Sequence, residues 1–147
     1  MTEKTYQIQR LTAVDDALAA QLNAQFDEGM SWDAEQGRLF LQNPDNLLAV
    51  AWWEGELCGF VSAHRLQRFD QRRAEVLLYE IGVDERFQRR GIGRALVAEV
   101  ICWAGEVGAD EIWVLTNRSN TAAMALYGSA GGEEDAPDVT MFTFRIG

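Results

Sequence analysis

With 147 residues, 48% hydrophobic side chains and two prolines, the chain fits one domain large enough to bury a core without disulfide or metal staples, and its composition argues against long disordered segments. A net charge of −10, from 23 acidic and 13 basic residues, disfavours a nucleic-acid partner and favours a cationic one. No apolar run reaches the ~18 residues of a membrane span, and Met1 to Tyr6 opens polar without a signal-peptide core, so a soluble cytoplasmic protein with no membrane partner is expected.

Tyr6 to Arg10 alternates as a first strand, and Thr12 followed by Asp15 reads as a helix start. Val14, Leu18, Leu22 and Phe26 then recur every fourth residue, marking one buried helical face that ends near Gly29. A second helix is predicted from Asp33 to Gln42, stopped by Asn43-Pro44. Between the helices, Phe26 to Trp32 is acidic and aromatic, suited to lining a substrate pocket. Leu47 to Trp53 and Leu57 to Leu66 form a hairpin about Glu54-Gly55-Glu56, and Gln67 to Arg73 a polar loop. Ala74 to Val83 is the next strand, too apolar to face water on either side.

A helix follows from Gly91, with Ile92, Leu96, Val100, Trp103 and Val107 on one face and Gly108 as its stop. Glu111 to Thr116 is a fifth strand, joined to the Ala74 strand by a parallel crossover. Thr121 to Ala130 is a short helix ending at Gly131-Gly132, and Val139 to Arg145 a closing strand. Cys58 and Cys102 both lie in apolar stretches and are expected to be buried free thiols. The order β-α-α-β-β-β-α-β-α-β gives an α/β (α+β) domain, a mixed sheet flanked by helices, without repeats.

The strand ending at Val83 runs into Gln88-Arg89-Arg90-Gly91-Ile92-Gly93-Arg94-Ala95. Two glycines allow a tight turn and close approach of backbone to a ligand, while the N–H groups opening the helix point outward at the positive end of its dipole. This is a phosphate-gripping arrangement, although a Gly-x-Gly at such a turn also meets plain steric needs. The Gly-x-x-x-x-Gly-Lys-Ser/Thr loop is absent, and the three-glycine dinucleotide fingerprint is incomplete after Gly93. A second motif is Asn120-Thr121-Ala122-Ala123-Met124-Ala125-Leu126-Tyr127, whose ends lie about two helical turns apart. The Gln-x-x-Gly-x-Gly turn, this second motif and the element order together resemble the GNAT superfamily of N-acetyltransferases.

That resemblance implies acetyl-CoA as co-substrate. Gln88, Arg89, Arg90, Gly91, Ile92, Gly93 and Arg94 would hold its phosphates, the glycine backbone before any single arginine. Tyr79-Glu80-Ile81-Gly82-Val83 would line the opening where the fourth strand splays from the fifth. There the backbone of Ile81, Gly82 and Val83 would pair with the pantetheine arm, with one N–H polarising the thioester carbonyl. Asn120 would bind the arm or an ordered water, and Tyr127 would protonate the departing thiolate. A phenol of ordinary pKa about 10 suits a thiolate of about 8.5, and the alternative for Tyr127 is core packing. An alkyl amine is mostly protonated at pH 7, so some carboxylate must take its proton. Glu80, inside an apolar strand, is the candidate base, with a salt bridge as its alternative role and Glu75 in reserve. His64, the lone histidine, is read as structural or pocket-lining, and no metal site is expected.

The stretch from Arg68 to Val83, with Arg89-Arg90-Gly91-Ile92 and Ala125-Leu126-Tyr127, is similar to the type I aminoglycoside 3-N-acetyltransferases. This implies a small polycationic amine acceptor, acetylated on its 3-amino group in a ternary complex, hence antibiotic resistance, and a homodimer. Asp27, Glu28, Tyr79, Glu80, Asp135 and Asp138 are the residues expected to hold the acceptor. Two further readings stand beside it: a GNAT enzyme for another amine (polyamine, amino acid or protein N-terminus), and a non-catalytic acyl-CoA-binding module.

Overall fold

The computed structural model describes residues 5–26, 33–134 and 138–147. Five strands, β1 (Tyr6–Arg10), β2 (Asn46–Trp53), β3 (Glu56–Leu66), β4 (Ala74–Val83) and β5 (Ala109–Trp113), form one sheet in sequence order. The first four are antiparallel, and β5 runs parallel to β4 across the helix that joins them. The helices are α1 (Asp16–Phe26), α2 (Ala34–Gln42), α3 (Ile92–Glu106) and α4 (Thr121–Ser129).

Both sheet faces are covered, which is why β2 and β3 read as continuous apolar runs. Leu47, Ala49 and Ala51 of β2 point to one face, where Leu96, Val100 and Trp103 of α3 close a core that also takes Val61, Val76 and Leu78. The intervening Leu48 and Val50 point to the other, against Val14 just before α1 and Ala19 and Leu22 of α1, with Phe26, Phe40 and Phe60 partly buried at its margin. Leu96 is fully buried, so truncation there to alanine should cost about 2–5 kcal/mol.

Helix ends follow local chemistry. Asp33 caps α2 in a reciprocal box: its Oδ1 accepts from the Gln36 N–H at 2.9 Å, and Gln36 Oε1 from the Asp33 N–H at 3.2 Å. For α1 the expected start at Thr12 is corrected. Asp15 holds that end, accepting the Leu18 N–H at 2.8 Å. Arg10 ties β1 to the far side of α3 through Glu99 and Glu106, at 2.8 and 2.6 Å from the latter. These contacts, above all the Arg10 hydrogen bond, push the Glu106 carboxyl down to about 2.

Three other expectations are corrected. The fifth strand begins earlier, at Ala109, and ends at Trp113 rather than Thr116. Cys102 is exposed, because it falls off the Leu96–Val100–Trp103 stripe of α3; Cys58 is buried as expected. Val139 to Arg145 forms no strand in this chain and is exposed throughout. No described helix is long and apolar enough to cross a membrane, and the described residues contain no His/Cys/Asp/Glu cluster able to hold a metal.

Candidate active site

The site is built on β4. Ala74, Val76 and Leu78 alternate into the α3 side of the core. The register against β3 then shifts: Ala63 stands opposite Leu78 and Ser62 opposite Glu80, leaving Tyr79 as an extra residue. A bulge of this kind breaks the strict alternation of faces. Tyr79 and Glu80 therefore both reach the α1–α2 side, where strict alternation would have turned Glu80 into the α3 core. Ile81 and Val83 return to the α3 side, and Gly82 sits beneath the Phe26 and Phe60 rings.

Just before the bulge, β4 parts from β5. Their ladder ends at Leu77 opposite Trp113, while β4 continues six residues to Val83 hydrogen-bonded to β3 alone. The backbone of Leu78 to Val83 thus faces an opening on its β5 side. That opening is the expected divergence of the fourth and fifth strands.

Beyond Val83 the chain turns through Glu85–Phe87, a single 3-10 turn whose Phe87 ring is buried. Asp84 holds this corner: it accepts from the Arg86 N–H at 3.0 Å and from Gln25 of α1 at 3.0 Å. The Arg86 guanidinium, foremost, with these bonds holds its carboxyl down at about 2. Gln25 and Asp84 were missed from the sequence, since their pairing spans 59 positions. Gln88 Nε2 donates back to the Val83 carbonyl at 3.3 Å.

Arg89 has φ 64° and Gly91 φ 82°, both left-handed. The second is natural for glycine and leaves the turn without a side chain over its mouth. The first i→i−4 bond of α3 is Ala95 N–H to Gly91 carbonyl at 3.0 Å, so the N–H groups of Ile92, Gly93 and Arg94 have no partner within the helix. Gly93 has a second duty: a Cβ there would stand 3.2 Å from Leu126 Cδ1, so its absence lets α4 dock on the start of α3. The Arg90 guanidinium lies 4.6 Å from the Trp53 ring centre and 5.4 Å from that of Phe87, a cation–π shelf that fixes one cation beside the turn. Arg89 and Arg94 are exposed.

Asn120 caps α4, its Oδ1 accepting the Ala123 N–H at 3.0 Å. The cap occupies one lone pair of that oxygen, leaving its second lone pair and the amide nitrogen for a ligand. Tyr127, half-buried on α4, lines a concavity of about 380 Å³ with Leu78, Ile112 and Val114, among β5, α3 and α4. Burial raises its phenol above the ordinary value, so it keeps its proton through neutral pH.

On the opposite sheet face lies a second cavity of about 470 Å³. Leu22, Phe26, Phe40, Leu48 and Phe60 give it apolar walls, Tyr79 and His64 one side, and Glu80 is the one carboxylate among its described lining residues. His64 meets Phe40 and Tyr79 edge-on at 5.6 and 5.5 Å between ring centres. Its Nδ1 is 2.8 Å from Asn46 Oδ1, and Asn46 Nδ2 donates to the Phe40 carbonyl at 3.0 Å. With the amide so assigned, the imidazole proton sits on Nδ1. Burial lowers the His64 pKa, keeping the ring neutral.

The expected acid and base are therefore placed on opposite faces of the sheet, and the two concavities touch β4 at consecutive residues, Leu78 in one and Tyr79–Glu80 in the other. Glu75 is drawn away from both. Its two oxygens accept from Arg68 Nε at 2.9 Å and Trp113 Nε1 at 2.8 Å. Asp138 is exposed and lines neither concavity, Glu134 pairs with Arg118, and Asp27, Glu28 and Asp135 lie outside the described residues. Phe40 and Phe60 are pocket residues that the sequence did not set apart: Phe40 lies between Leu39 and Leu41 in an apolar helical run, and Phe60 inside the apolar run of β3.

A sheet opened between two parallel strands, with a left-handed glycine turn and a free helix N-terminus at its mouth, defines a fold that seats a long phosphate-bearing thioester. The family model described as Acetyltransferase (GNAT) family matches residues 11–131, and the chain belongs to that family, whose acetyl donor is acetyl-CoA. Among curated relatives, the chain is 36% identical over 123 residues to the N-alpha-acetyltransferase RimI of Mycobacterium tuberculosis, covering 82% of this chain and 74% of that one. It is 36% identical over 116 residues to the mycothiol acetyltransferase of Clavibacter sepedonicus, covering 71% of this chain. The chain spans about a third of the length of the mycothiol acetyltransferases it matches (36% and 35%). An aminoglycoside acetyltransferase from an uncultured soil metagenomic sample, solved with sisomicin, has a TM-score of 0.86 at 22% identity over 97% of both chains. The aminoglycoside N-acetyltransferase AAC(6')-Iy in complex with CoA gives 0.79 at 22% identity, over 96% of this chain and 95% of that one. At such identities these two likenesses speak for the fold.

Proposed function

We propose that the protein transfers the acetyl group of acetyl-CoA to a primary amine borne next to an apolar or aromatic group, the class that best fits being the α-amine of a polypeptide N-terminus. The observation that carries this reading is the Phe26–Phe40–Phe60 cavity with Glu80 as its one described carboxylate. One charge suits one amine, and the aromatic walls suit what that amine is attached to. The relative RimI, by its name an N-alpha-acetyltransferase, points the same way.

In this reading Gly91, Ile92, Gly93 and Arg94 hold the pyrophosphate with their backbone N–H groups, and Arg89 and Arg90 add charge. The exposed edge of β4 at Ile81, Gly82 and Val83 pairs with the pantetheine amides and offers an N–H to the thioester oxygen. Asn120 steadies the arm through its amide nitrogen. Glu80 takes the proton from the incoming ammonium, directly or through water, so that the amine can form its C–N bond at the thioester carbon. Tyr127 gives its proton to the sulfur as the C–S bond breaks.

An aminoglycoside acceptor is the second reading, favoured by the net charge of −10 and by the acidic positions Asp27, Glu28 and Asp135 beside the described residues. The deciding experiment is thiol release from acetyl-CoA with short peptides, the same peptides N-formylated, polyamines and aminoglycosides. Turnover of free peptides with apolar or aromatic first residues, abolished by formylation, is expected. Turnover confined to aminoglycosides, with a KM that climbs steeply with salt, would replace the first reading by the second. No release with any amine would leave an acyl-CoA-binding module.

A further inference from the structure

The aromatic cavity holds a second fixed polar atom besides the Glu80 carboxylate. His64 stands on β3 two residues beyond Ser62, and the ladder sets Ser62 opposite Glu80, so the three share the α1–α2 face of the sheet and line one hollow. The His64 ring is held from behind by two hydrogen bonds in series that end on the main chain. Asn46 Nδ2 donates to the Phe40 carbonyl at 3.0 Å, and Asn46 Oδ1 accepts from His64 Nδ1 at 2.8 Å. A carbonyl can only accept, so the Asn46 amide cannot turn over, and the ring keeps its proton on Nδ1. Phe40 and Tyr79 hold the ring edge-on from two sides.

What this leaves over is Nε2. Among the described residues it has no hydrogen-bond partner, and it is not one of the unpartnered atoms sealed inside the protein, which are Asn23 Oδ1 and Gln25 Oε1. It therefore opens on the cavity, and on a neutral ring it accepts and cannot donate. The other polar groups of the described wall are less committed: the Ser62 and Tyr79 hydroxyls rotate to give or take, and the Gln36 oxygen already accepts the Asp33 N–H. Glu80 and His64 are thus the two fixed acceptors. They are anchored ~7 Å apart along the sheet, the rise of two strand residues. One nitrogen with two hydrogen bonds of ~2.9 Å spans less than that, so the pair suits two N–H groups on neighbouring atoms of one molecule. In a polypeptide N-terminus the α-amine and the first amide nitrogen lie at most ~3.6 Å apart, which leaves room for one hydrogen bond outward from each.

We infer that His64 Nε2 accepts the first amide N–H of the acceptor polypeptide while Glu80 takes its α-amine, so the site reads the main chain of its substrate as well as the free end. The inference rests on the N-terminal acceptor proposed above and narrows it. A lysine side chain carries its amine at the end of four methylenes and has no N–H at the required spacing. A polypeptide with proline second has no amide hydrogen there, and is excluded by the same contact. His64 then sets specificity and leaves the proton transfers to other groups.

The chain has one histidine, so the nitrogen-15 spectrum of histidine-labelled protein reports His64 alone. The free protein should show the proton on Nδ1 and a bare Nε2. A short peptide with a phenylalanine first residue, added at saturation to the CoA-bound protein, should move the Nε2 signal upfield with the proton still on Nδ1. The matching depsipeptide, in which an ester oxygen replaces the first amide N–H, should bind without that shift. In thiol release from acetyl-CoA, wild type should prefer the peptide to the depsipeptide by about tenfold in kcat/KM. His64→Asn, which keeps a polar group beside Asn46 and removes Nε2, should bring that ratio close to one, any intrinsic difference between the two acceptors cancelling between the enzymes. A proton on Nε2 in the free protein overturns the inference, as does an Nε2 signal unmoved by the peptide or moved equally by both compounds. These readings use wild type and stand even where His64→Asn fails to fold. Peptide turnover with a wild-type ratio near one, or a folded His64→Asn that keeps the wild-type ratio, overturns the inference and leaves the N-terminal acceptor in place; no turnover of any peptide removes both.

Discussion

Neutralising Glu80 tests the proposed base and reports the acceptor class in the same experiment. Glu80→Gln keeps size and hydrogen-bonding capacity while removing the proton acceptor, and general-base catalysis of this kind contributes ~10²–10⁴-fold, about 3–5 kcal/mol of barrier. What remains depends on how much acceptor is already neutral. An α-amine of pKa ~7.7–8.0 is roughly one part in ten neutral at pH 7, whereas a lysine-like amine of pKa ~10.4 is about one part in 2,500. With a peptide acceptor, the variant's kcat/KM should therefore recover about tenfold between pH 7 and 9 and then level. With a lysine-like amine it should keep climbing tenfold per pH unit towards pH 10. Thiol release followed from pH 6.5 to 10 reads both. Glu75→Gln is the control: it weakens the bonds to Arg68 and Trp113, costing about 1–2 kcal/mol of stability with kcat of the folded fraction preserved. A Glu80→Gln enzyme within twofold of wild type at pH 7, with a parallel pH profile, would refute the assignment of the base.

Tyr127→Phe should lower kcat about 10²-fold with the Kd for acetyl-CoA little changed. Because burial raises that phenol, the wild-type kcat profile should show no loss from it below pH 10. Gly93→Ala, which pushes a methyl against Leu126, should shift α4 and weaken acetyl-CoA binding in calorimetry. Gly91→Ala meets open space but a φ of 82°, and should cost about 1 kcal/mol of stability before any effect on the donor. His64 is depressed below its ordinary 6.5, so the unfolded chain binds its proton first as pH falls. Its contribution to stability is complete above pH 6.5 and is lost progressively below it. The Tm difference between wild type and His64→Gln should be constant above pH 6.5 and move against wild type as pH falls below it.

Much of this was legible because the signals are local. Ala74–Val83 has the predicted bounds of β4, and Asp33 with Gln36 starts α2 through a box that spans four residues. Gly91 and Gly93 mark the turn for reasons the structure divides between them, φ for one and the approach of Leu126 for the other. What escaped depends on distant partners. The bulge at Tyr79 is a register between β3 and β4, which no property of Leu78-Tyr79-Glu80 alone dictates. The exposure of Cys102 follows from which stripe of α3 meets the sheet. The strand predicted at Val139 has the composition of one but pairs with no other strand.

The bulge and the parting of β4 from β5 act together. Leu77 is the last residue of β4 bonded to β5, and Tyr79, two positions on, is the extra residue against β3. The divergence frees the β4 edge for a ligand lying between the strands. The bulge turns a carboxylate from the α3 side to the α1–α2 side, where the aromatic cavity opens. Without the first, nothing admits a thioester to the middle of a sheet covered on both faces; without the second, Glu80 would be buried with Val76 and Leu78 at the cost of an ion in an apolar core. In the proposed mechanism, an acceptor entering from the Phe40–Phe60 side would meet Glu80, and a leaving thiol on the other side would meet Tyr127. The two proposed proton transfers would thereby lie on opposite faces of one strand, with β4 itself between them to prevent their direct exchange.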